Sequence, residues 1–193
     1  VSSSGPGEGK TTTVANLAIT YANMGKKTLL VDADLRKPVI HKMFLNNIEK
    51  GFTSFLTGSE KDIKNLYYNT DVKNLFAIKS GAVPPNPSEL LASKFMNEFI
   101  SQIKKEFDVV LFDTPPMIAV TDAFILDKFV DKKLLVIRAS VTQKGALERT
   151  LVNMENMATS LDGIVFNGVD ESNTYGGGYY YNYYQYYYGN EEK

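Results

Sequence analysis

The chain has 193 residues, 44% of them hydrophobic and 22% charged, which is the size and composition of one globular domain with or without a tail. Its formal net charge of −1 gives no overall reason to expect nucleic acid or an anionic membrane as a partner. The absence of cysteine excludes disulfides, thiolate metal sites and cysteine nucleophiles, and the single histidine, His41, argues against a histidine metal site or a serine–histidine triad.

Five apolar runs predict buried strands. They are nearly continuous in Val, Ile, Leu and Phe, as strands that are covered on both faces of a sheet usually are. In chain order the predicted strands span residues 26–34, 74–81, 107–116, 132–140 and 161–169. Because a glycine-rich loop follows Val1 at once, we expect the first strand of the fold to lie upstream of this chain.

Helical patterns fill the intervals between these strands. They span residues 10–25, 88–107 (one or two helices), 121–129 and 142–161. Gly25 is placed to end the first helix as its C-cap, and Ser88 to begin the second as its N-cap. Strands that alternate with helices imply right-handed crossovers, so the predicted fold is α/β, with a mainly parallel sheet and helices on both faces.

The composition changes after Asp170, where aliphatic residues give way to Gly, Asn and Tyr. The run YGGGYYYNYYQYYYG, residues 175–189, holds nine tyrosines. We therefore predict a folded domain over residues 1–170 and a disordered, tyrosine-rich tail over residues 171–193.

The segment SSSGPGEGKTTT, residues 2–13, predicts a phosphate-binding loop. Gly9, Lys10 and Thr11 fit the end of the P-loop pattern, whereas Ser4 stands where the first glycine is usual. The glycines would let backbone N–H groups approach phosphate oxygens, and the helix that begins near Lys10 adds its positive end. Lys10 can reach the β- and γ-phosphates, and the Thr11 hydroxyl can ligate Mg²⁺. The alternative is a chance glycine-rich turn ahead of a helix.

Two carboxylates, Asp32 and Asp34, follow a predicted buried strand in LLVDADLRKP, residues 29–38. Residues two apart on an extended chain point the same way, so both side chains can face one site. Mg²⁺ prefers oxygen ligands and keeps several waters. One acid could hold a metal-bound water while the other orients a nucleophile; the alternative is a solvated turn closed by Pro38.

A third acid, Asp113, ends the hydrophobic run VVLFDTPP, residues 109–116. An acid at a strand end after a P-loop is the Walker B arrangement, which contacts Mg²⁺ directly or through water. Asp170 also falls at a predicted strand end, and parallel sheets bind ligands beyond the carboxyl ends of their strands. Three acidic positions around one Lys–Thr loop predict hydrolysis or transfer of a nucleotide γ-phosphate.

The segments GPGEGKTTTVANLA, LLVDADLRKP and FDVVLFDTPPMIAVTDA, followed by a tyrosine cluster, resemble a bacterial tyrosine kinase (BY-kinase) of the capsule and exopolysaccharide systems. The resemblance runs from Ser2 to the tail. It implies a kinase domain of P-loop ATPase ancestry that uses ATP and Mg²⁺ to phosphorylate tyrosine, largely on its own tail and in trans.

The resemblance also assigns roles to residues by motif, with Asp32 the candidate to orient or deprotonate the tyrosine hydroxyl. The catalytic set is Lys10, Asp32, Asp34 and Asp113. The implied Mg²⁺ ligands are Thr11, Asp32 and Asp113. The nucleotide-binding set is Gly7, Glu8, Gly9, Lys10, Thr11, Thr12 and Asn167. The tyrosines expected to accept phosphate are Tyr175, Tyr179, Tyr180, Tyr181, Tyr183, Tyr184, Tyr186, Tyr187 and Tyr188.

Three further residues have two readings each. Asn167 resembles an adenine-reading asparagine, or is a turn residue at a strand end. Arg138 is placed to contact nucleotide or a neighbouring subunit. Asp122 either supports the site from behind or is the N-cap of its helix.

For partners, the resemblance implies a membrane-embedded polysaccharide chain-length regulator, separate or fused upstream, together with ring-shaped self-association and an opposing tyrosine phosphatase. It places the kinase in the cytoplasm, at the inner face of the plasma membrane. No apolar run approaches the roughly 18 residues needed to span a bilayer, and no signal peptide is visible.

Two alternative functions stay open on the sequence. Partition and cell-division ATPases of the same superfamily carry a lysine at the start of the loop, where this chain has Gly5, and often end in a basic membrane helix. The second alternative is a non-catalytic nucleotide-binding scaffold whose aromatic tail is an aggregation-prone tract.

Overall fold

The computed structural model describes residues 1–44, 50–118 and 120–169, and the predicted tyrosine tail lies outside them. The strands are β1 (Ser2–Ser3), β2 (Thr28–Asp32), β3 (Tyr68–Asn69), β4 (Leu75–Ile78), β5 (Val109–Asp113), β6 (Leu134–Arg138) and β7 (Gly163–Asn167). The α-helices are α1 (Lys10–Asn23), α2 (Ile40–Met43), α3 (Phe52–Leu56), α4 (Pro87–Leu91), α5 (Lys94–Glu106), α6 (Asp122–Leu126) and α7 (Lys144–Asn156). Single 3₁₀ turns lie at Ile63–Asn65 and Asp127–Phe129.

The strands form two groups, a four-stranded sheet in the order β3-β4-β2-β5 and a three-stranded sheet in the order β1-β6-β7. Strand β2 pairs in parallel with β4 and β5, and β6 pairs in parallel with β1 and β7, while β3 is antiparallel to β4. The two groups meet at Val1, whose nitrogen donates to the Phe112 carbonyl at 2.8 Å and whose carbonyl accepts from the Thr114 N–H at 3.2 Å. The predicted α/β fold with a mainly parallel sheet is confirmed.

Both faces of the central strand β2 are covered by helices, as its unbroken apolar run predicts. All five of its residues are buried. Leu29 and Val31 belong to a core cluster with aromatic residues of α3 and α5, whereas Leu30 belongs to a second cluster with the small and branched side chains of α1. Alternate residues of a strand face opposite sides, so one continuous hydrophobic run supplies both cores.

The predicted helices are present with slightly different bounds, and one detail differs. Residues 88–107 divide into α4 and α5, which is the two-helix alternative, but Ser93 rather than Ser88 is the N-cap of the longer one. Ser88 is not an N-cap, because Asn86 precedes α4 and Pro87 occupies its first position, where a missing N–H is harmless. Gly25 adopts φ 82° just after α1, as a glycine that ends a helix does.

Four elements were not predicted: β1, β3, α2 and α3. Each has five residues or fewer, which is too short for periodicity to identify. The expected upstream strand concerns residues outside this chain, while Ser2–Ser3 already pair with β6.

A cavity of about 860 Å³ lies between β5 and β6. Its lining includes Val109, Phe112 and Leu134, together with Thr114 just beyond the end of β5. None of the predicted site residues within the described ranges lines it, so this cavity is separate from the acids. No helix in the described ranges is long and apolar enough to cross a membrane.

Candidate active site

The loop between β1 and α1 presents the start of a helix at the carboxyl edge of the sheet. Gly9 precedes α1 in a left-handed conformation, with φ 92°, and no side chain caps the helix. A Cβ on Gly9 would overlap the side-chain nitrogen of Asn167, which would have to shift, and the left-handed backbone itself favours glycine. The first N–H groups of a helix have no intrahelical partner, and they carry its positive end. Lys10, Thr11 and the exposed Thr12 supply these groups.

Three of the predicted catalytic side chains, Lys10, Asp34 and Asp113, are in contact through the Lys10 ammonium group. Lys10 Nζ lies 3.2 Å from Asp34 Oδ2 and 3.2 Å from Asp113 Oδ1. The Thr11 hydroxyl donates to Asp113 Oδ2 at 2.6 Å. Because β2 and β5 pair with Asp32 opposite Asp113, their carboxyl ends bring the acidic segments of both strands to the P-loop.

Asp32 is fully buried, and only one of its two carboxylate oxygens has hydrogen-bond partners among the described residues. Its Oδ2 atom accepts the N–H groups of Val39 at 3.1 Å and Ile40 at 3.0 Å. Its Oδ1 atom is buried and has no hydrogen-bond partner among the described residues. A buried, unpartnered carboxylate oxygen is costly, and such groups are usually kept for a ligand or for chemistry.

Burial shifts the titration of two of these acids. Desolvation raises the pKa of Asp32 to about 7, and the charges of Asp113 and Asp34 add to the rise, while the Ile40 N–H and Lys10 oppose it. Burial also raises the pKa of Asp113, against the effect of Lys10 and the Thr11 hydrogen bond. An added cation would favour the charged form of both carboxylates.

The predicted nucleotide-binding residue Glu8 turns its side chain away from the uncapped helix end. Its carboxylate accepts hydrogen bonds from the Ser4 hydroxyl at 2.7 Å, the Gly5 N–H at 3.0 Å and the Thr142 hydroxyl at 2.7 Å. A contact from Glu8 to phosphate would therefore come from its main chain. Ser4, which replaces the usual first glycine of the loop, is fully buried in this arrangement.

Two residues from neighbouring strand ends reach the same loop. The Asn167 amide donates to the Glu8 carbonyl at 3.1 Å, and Arg138 Nη1 donates to the Gly7 carbonyl at 3.3 Å. Arg138 thus contacts the phosphate loop of its own chain. The role of Asn167 in reading adenine stays a prediction, although its position beside Gly9 suits it.

Asp122 is not the N-cap of α6, because Thr121 occupies that position. It is fully buried and accepts from Arg36 Nε at 2.8 Å, from Arg36 Nη2 at 3.1 Å and from the Ser88 hydroxyl at 2.6 Å. The Arg36 N–H in turn donates to Asp34 Oδ1 at 3.3 Å. Asp122 therefore supports the acidic segment from behind. From the sequence Ser88 was expected only as a helix N-cap and Arg36 had no assigned role; the arginine within VDADLRKP was the available signal.

The oxygen donors of this edge fit a magnesium–nucleotide complex. Among the described residues no group of three or more His, Cys, Asp or Glu side chains is arranged to hold a metal ion by itself. Mg²⁺ is usually held by one or two carboxylates with phosphate and water completing the shell. Thr11, Asp113 and the free oxygen of Asp32 provide that kind of incomplete set beside the P-loop. The P-loop fold itself implies nucleotide binding.

The structure thus brings Lys10, Thr11, Asp34 and Asp113 into contact, with Asp32 paired opposite Asp113 and Asn167 bonded to Glu8 in the loop. The nine tyrosines and Asp170 lie outside the described residues.

Comparisons with known proteins agree with this geometry. The family model of an AAA domain matches residues 1–162. The chain is 41% identical to the tyrosine-protein kinase YwqD of Bacillus subtilis over 168 residues, which are 87% of this chain and 70% of that protein. It is 40% identical to the tyrosine-protein kinase CpsD of Streptococcus pneumoniae serotype 4 over 179 residues, which are 91% and 78% of the two chains.

Solved structures give the same result. The kinase domain of the Escherichia coli tyrosine kinase ETK superposes with a TM-score of 0.81 at 32% identity, over 87% of this chain and 66% of that one.

Proposed function

Because the chain belongs to the bacterial tyrosine kinases of the P-loop ATPase superfamily, we propose that it transfers the γ-phosphate of ATP to tyrosines between Tyr175 and Tyr188 of a neighbouring copy. Protein-tyrosine kinase activity is the activity of this family. The observation that carries the proposal is the unpartnered oxygen of buried Asp32, beside Lys10 and Asp113, in a chain that also holds nine clustered tyrosines.

In this proposal the P-loop binds the nucleotide phosphates, and the acidic side chains orient Mg²⁺ and the acceptor tyrosine. The uncapped N–H groups of α1 and the Lys10 ammonium bind the β- and γ-phosphates and neutralise charge as the transferred group moves. Lys10 now contacts Asp34 and Asp113, so it exchanges or shares these partners when phosphates enter. Bound Mg²⁺, held through Thr11 and Asp113, would neutralise charge on the phosphate oxygens.

Two roles are open to the free oxygen of Asp32, as an Mg²⁺ ligand or as a partner of the acceptor tyrosine. We assign it to the tyrosine, from whose incoming hydroxyl it would accept a hydrogen bond, and leave Thr11 and Asp113 to hold Mg²⁺. The tyrosine oxygen forms a bond to the γ-phosphorus, the bond to the β-phosphate oxygen breaks, and ADP leaves, while the hydroxyl proton passes late in the step to the Asp32 carboxylate. A free tyrosine has a pKa near 10, but a loose transition state requires little early proton removal. Orientation by Asp32 therefore matters more than its strength as a base.

The length of the C-terminal segment allows transfer in trans. Strand β7 ends at Asn167, and the tyrosines lie between residues 175 and 188. An extended chain covers at most about 3.3–3.6 Å per residue, so the last of them can reach several tens of ångströms from its own sheet. This is enough for the site of a neighbouring subunit.

The proposal extends to regulation of capsular or extracellular polysaccharide synthesis and export. We place the kinase in the cytoplasm, at the inner face of the plasma membrane, held there by a membrane-embedded chain-length regulator that is separate or fused. A tyrosine phosphatase would oppose it. Each phosphate adds about −1.5 to −2 charge, so phosphorylated segments would repel one another and release subunits from a ring-shaped assembly.

Incubation with ATP and Mg²⁺, followed by mapping of phosphate by mass spectrometry, tests the activity. Phosphotyrosine at residues 175–188, absent from Lys10→Met, is the expected result. ADP release with an unmodified tail would instead support a partition-type ATPase, and no turnover a binding scaffold. Sizing the protein before and after the reaction tests the release of subunits separately, since an unchanged assembly would contradict the release alone.

A further inference from the structure

Glu8, a residue of the phosphate loop, has a buried carboxylate. Glu8 is only 3% exposed, and none of the ion pairs in the described part of the chain involves it. Three neutral donors converge on it: the Ser4 hydroxyl, the Gly5 N–H and the Thr142 hydroxyl, all within 3.0 Å. The first two belong to the loop itself, while Thr142 is 134 positions away in the chain.

On charge alone, this carboxylate is unfavourable for the site. A negative charge next to a place for phosphates repels them, and more strongly where water is excluded. Replacing Glu8 with an uncharged residue would then tighten nucleotide binding. The opposite is expected if the carboxylate matters as an acceptor that holds the loop in shape.

Thr142 is itself held in place by the end of β6. Its hydroxyl accepts the Arg138 N–H at 2.8 Å, and its N–H donates to the Arg138 carbonyl at 2.9 Å. The hydroxyl proton is therefore directed at Glu8. The Arg138 guanidinium adds a bond to the Gly7 carbonyl, so the loop after β6 is joined to the P-loop at two points.

We propose that Ser4, Gly5, Glu8 and Thr142 form a P-loop latch that holds the loop in its phosphate-binding conformation before nucleotide arrives. Gly7 and Gly9, on either side of Glu8, have left-handed backbones that free glycines readily leave. Fixing the residue between them reduces the ordering that binding would otherwise require. Glu8 and Thr142 are thus positioning residues for nucleotide binding, and Ser4 has a role that a glycine could not fill.

The Glu8→Gln variant separates the two expectations by sign. A glutamine keeps one acceptor oxygen for the Ser4 and Thr142 hydroxyls but turns its NH₂ group toward the Gly5 N–H, so the latch would loosen although a negative charge is lost. We expect the dissociation constant of a fluorescent ADP analogue, measured with Mg²⁺, to rise about tenfold. Tighter binding would overturn the proposal.

The Thr142→Val variant removes only the hydroxyl at a half-buried position and should raise the same dissociation constant severalfold, while Thr142→Ser restores it. Thr150→Val is the matched control, because the Thr150 hydroxyl bonds only the Ala146 carbonyl within α7. Equal affinities for the valine and serine variants at position 142 would contradict the latch. Thermal unfolding without nucleotide shows whether each variant is folded.

This inference rests on nucleotide binding at the P-loop and not on tyrosine transfer. If the wild-type protein binds ADP but phosphorylates no tyrosine, the proposed function fails and the latch can still be tested. In the active enzyme, Thr142→Val should raise KM for ATP and leave kcat within about twofold. An equal loss in kcat with KM unchanged would assign Thr142 a different role.

Discussion

The Thr11 hydroxyl lies 2.6 Å from Oδ2 of Asp113, although the two residues are 102 positions apart. Thr11 is the second residue of α1, the helix after the P-loop, and Asp113 ends strand β5. Their contact joins the phosphate-binding element to the acid that follows the Walker B run. Lys10 occupies the other oxygen of the same carboxylate, so a single aspartate organises both residues of the Lys–Thr pair.

Replacement of Asp113 by Asn should abolish phosphorylation with the fold intact. The asparagine keeps an acceptor for Thr11 but removes the charge that faces Lys10 and Mg²⁺. We expect tail phosphorylation to fall at least about 100-fold, the scale of a lost electrostatic group in an active site. Quantitative mass spectrometry of tail phosphotyrosine checks this, and Asp71→Asn, at an exposed position, is the control. Activity within a few-fold of wild type would remove Asp113 from the site.

The Asp32→Asn variant should be more stable than the wild-type protein when metal and nucleotide are removed. The asparagine oxygen can still accept from Val39 and Ile40, and one buried negative charge is lost. Because burial raises the pKa of Asp32 from 3.8 to about 7, its penalty grows as pH rises through that interval and is constant above it. The gain in Tm should therefore be larger at pH 8 than at pH 5.

Chelator-treated samples at the two pH values provide this measurement, with tail phosphorylation of the same variant assayed separately. We expect phosphorylation to be largely lost while much of the ADP affinity remains, since Asp32 is assigned to the acceptor tyrosine. A variant that is less stable at pH 8 and still phosphorylates its tail would contradict both assignments.

Gly9→Ala should impair nucleotide binding beyond what backbone strain explains. Gly9 and Gly25 both have positive φ, of 92° and 82°, so alanine is strained at either position by about 1 kcal/mol. Only at Gly9 does the added methyl group meet a neighbour, the Asn167 amide, whereas nothing lies within 4 Å at Gly25. Both variants should lose similar backbone stability, but ADP affinity should fall only in Gly9→Ala. Equal ADP affinities of the two variants would mean that the Asn167 side chain moves aside without cost to nucleotide binding, which would contradict this prediction.

Asp122→Asn should destabilise the protein and misplace the acidic segment. The change weakens two hydrogen bonds from Arg36 and one from Ser88 at a fully buried carboxylate. Since the Arg36 side chain is 38% exposed, solvent screens part of the loss, and we expect about 1–3 kcal/mol from the free energy of unfolding. Denaturant titration measures it. Glu148→Gln, in the exposed Lys144–Glu148 pair, should change nothing measurable; an equal effect of both would mean that burial of Asp122 is unimportant.

The sequence was sufficient for the sheet, the P-loop and the three acids because each has a strong local signal. The buried strands have long apolar runs, and Gly9-Lys10-Thr11 is a motif whose chemistry requires those residue types. Strand-end acids converge because neighbouring parallel strands end at one edge. The sheet therefore follows from hydrophobic periodicity, the P-loop from its motif, and the meeting of the acids from sheet topology.

What the sequence could not show were contacts between segments far apart in the chain. The bonds from Thr142 to Glu8 and from Arg36 to Asp122 join residues 134 and 86 positions apart, and no local pattern marks them. The sequence therefore predicts that Glu8 binds nucleotide but does not distinguish its main chain from its side chain. The side chain bonds the other latch residues instead. The sequence likewise leaves two roles open for Asp122, and its contacts with Arg36 and Ser88 decide between them.

A mixing experiment tests the central claim most directly. Full-length Lys10→Met protein, which lacks activity but keeps its tyrosines, is incubated with ATP, Mg²⁺ and a full-length active protein whose nine tail tyrosines are replaced by phenylalanine. Mass spectrometry then locates phosphate on the inactive chain. Phosphotyrosine between residues 175 and 188 of the Lys10→Met protein is the predicted result. An unlabelled inactive chain, beside a wild-type control that labels itself, would contradict transfer between copies.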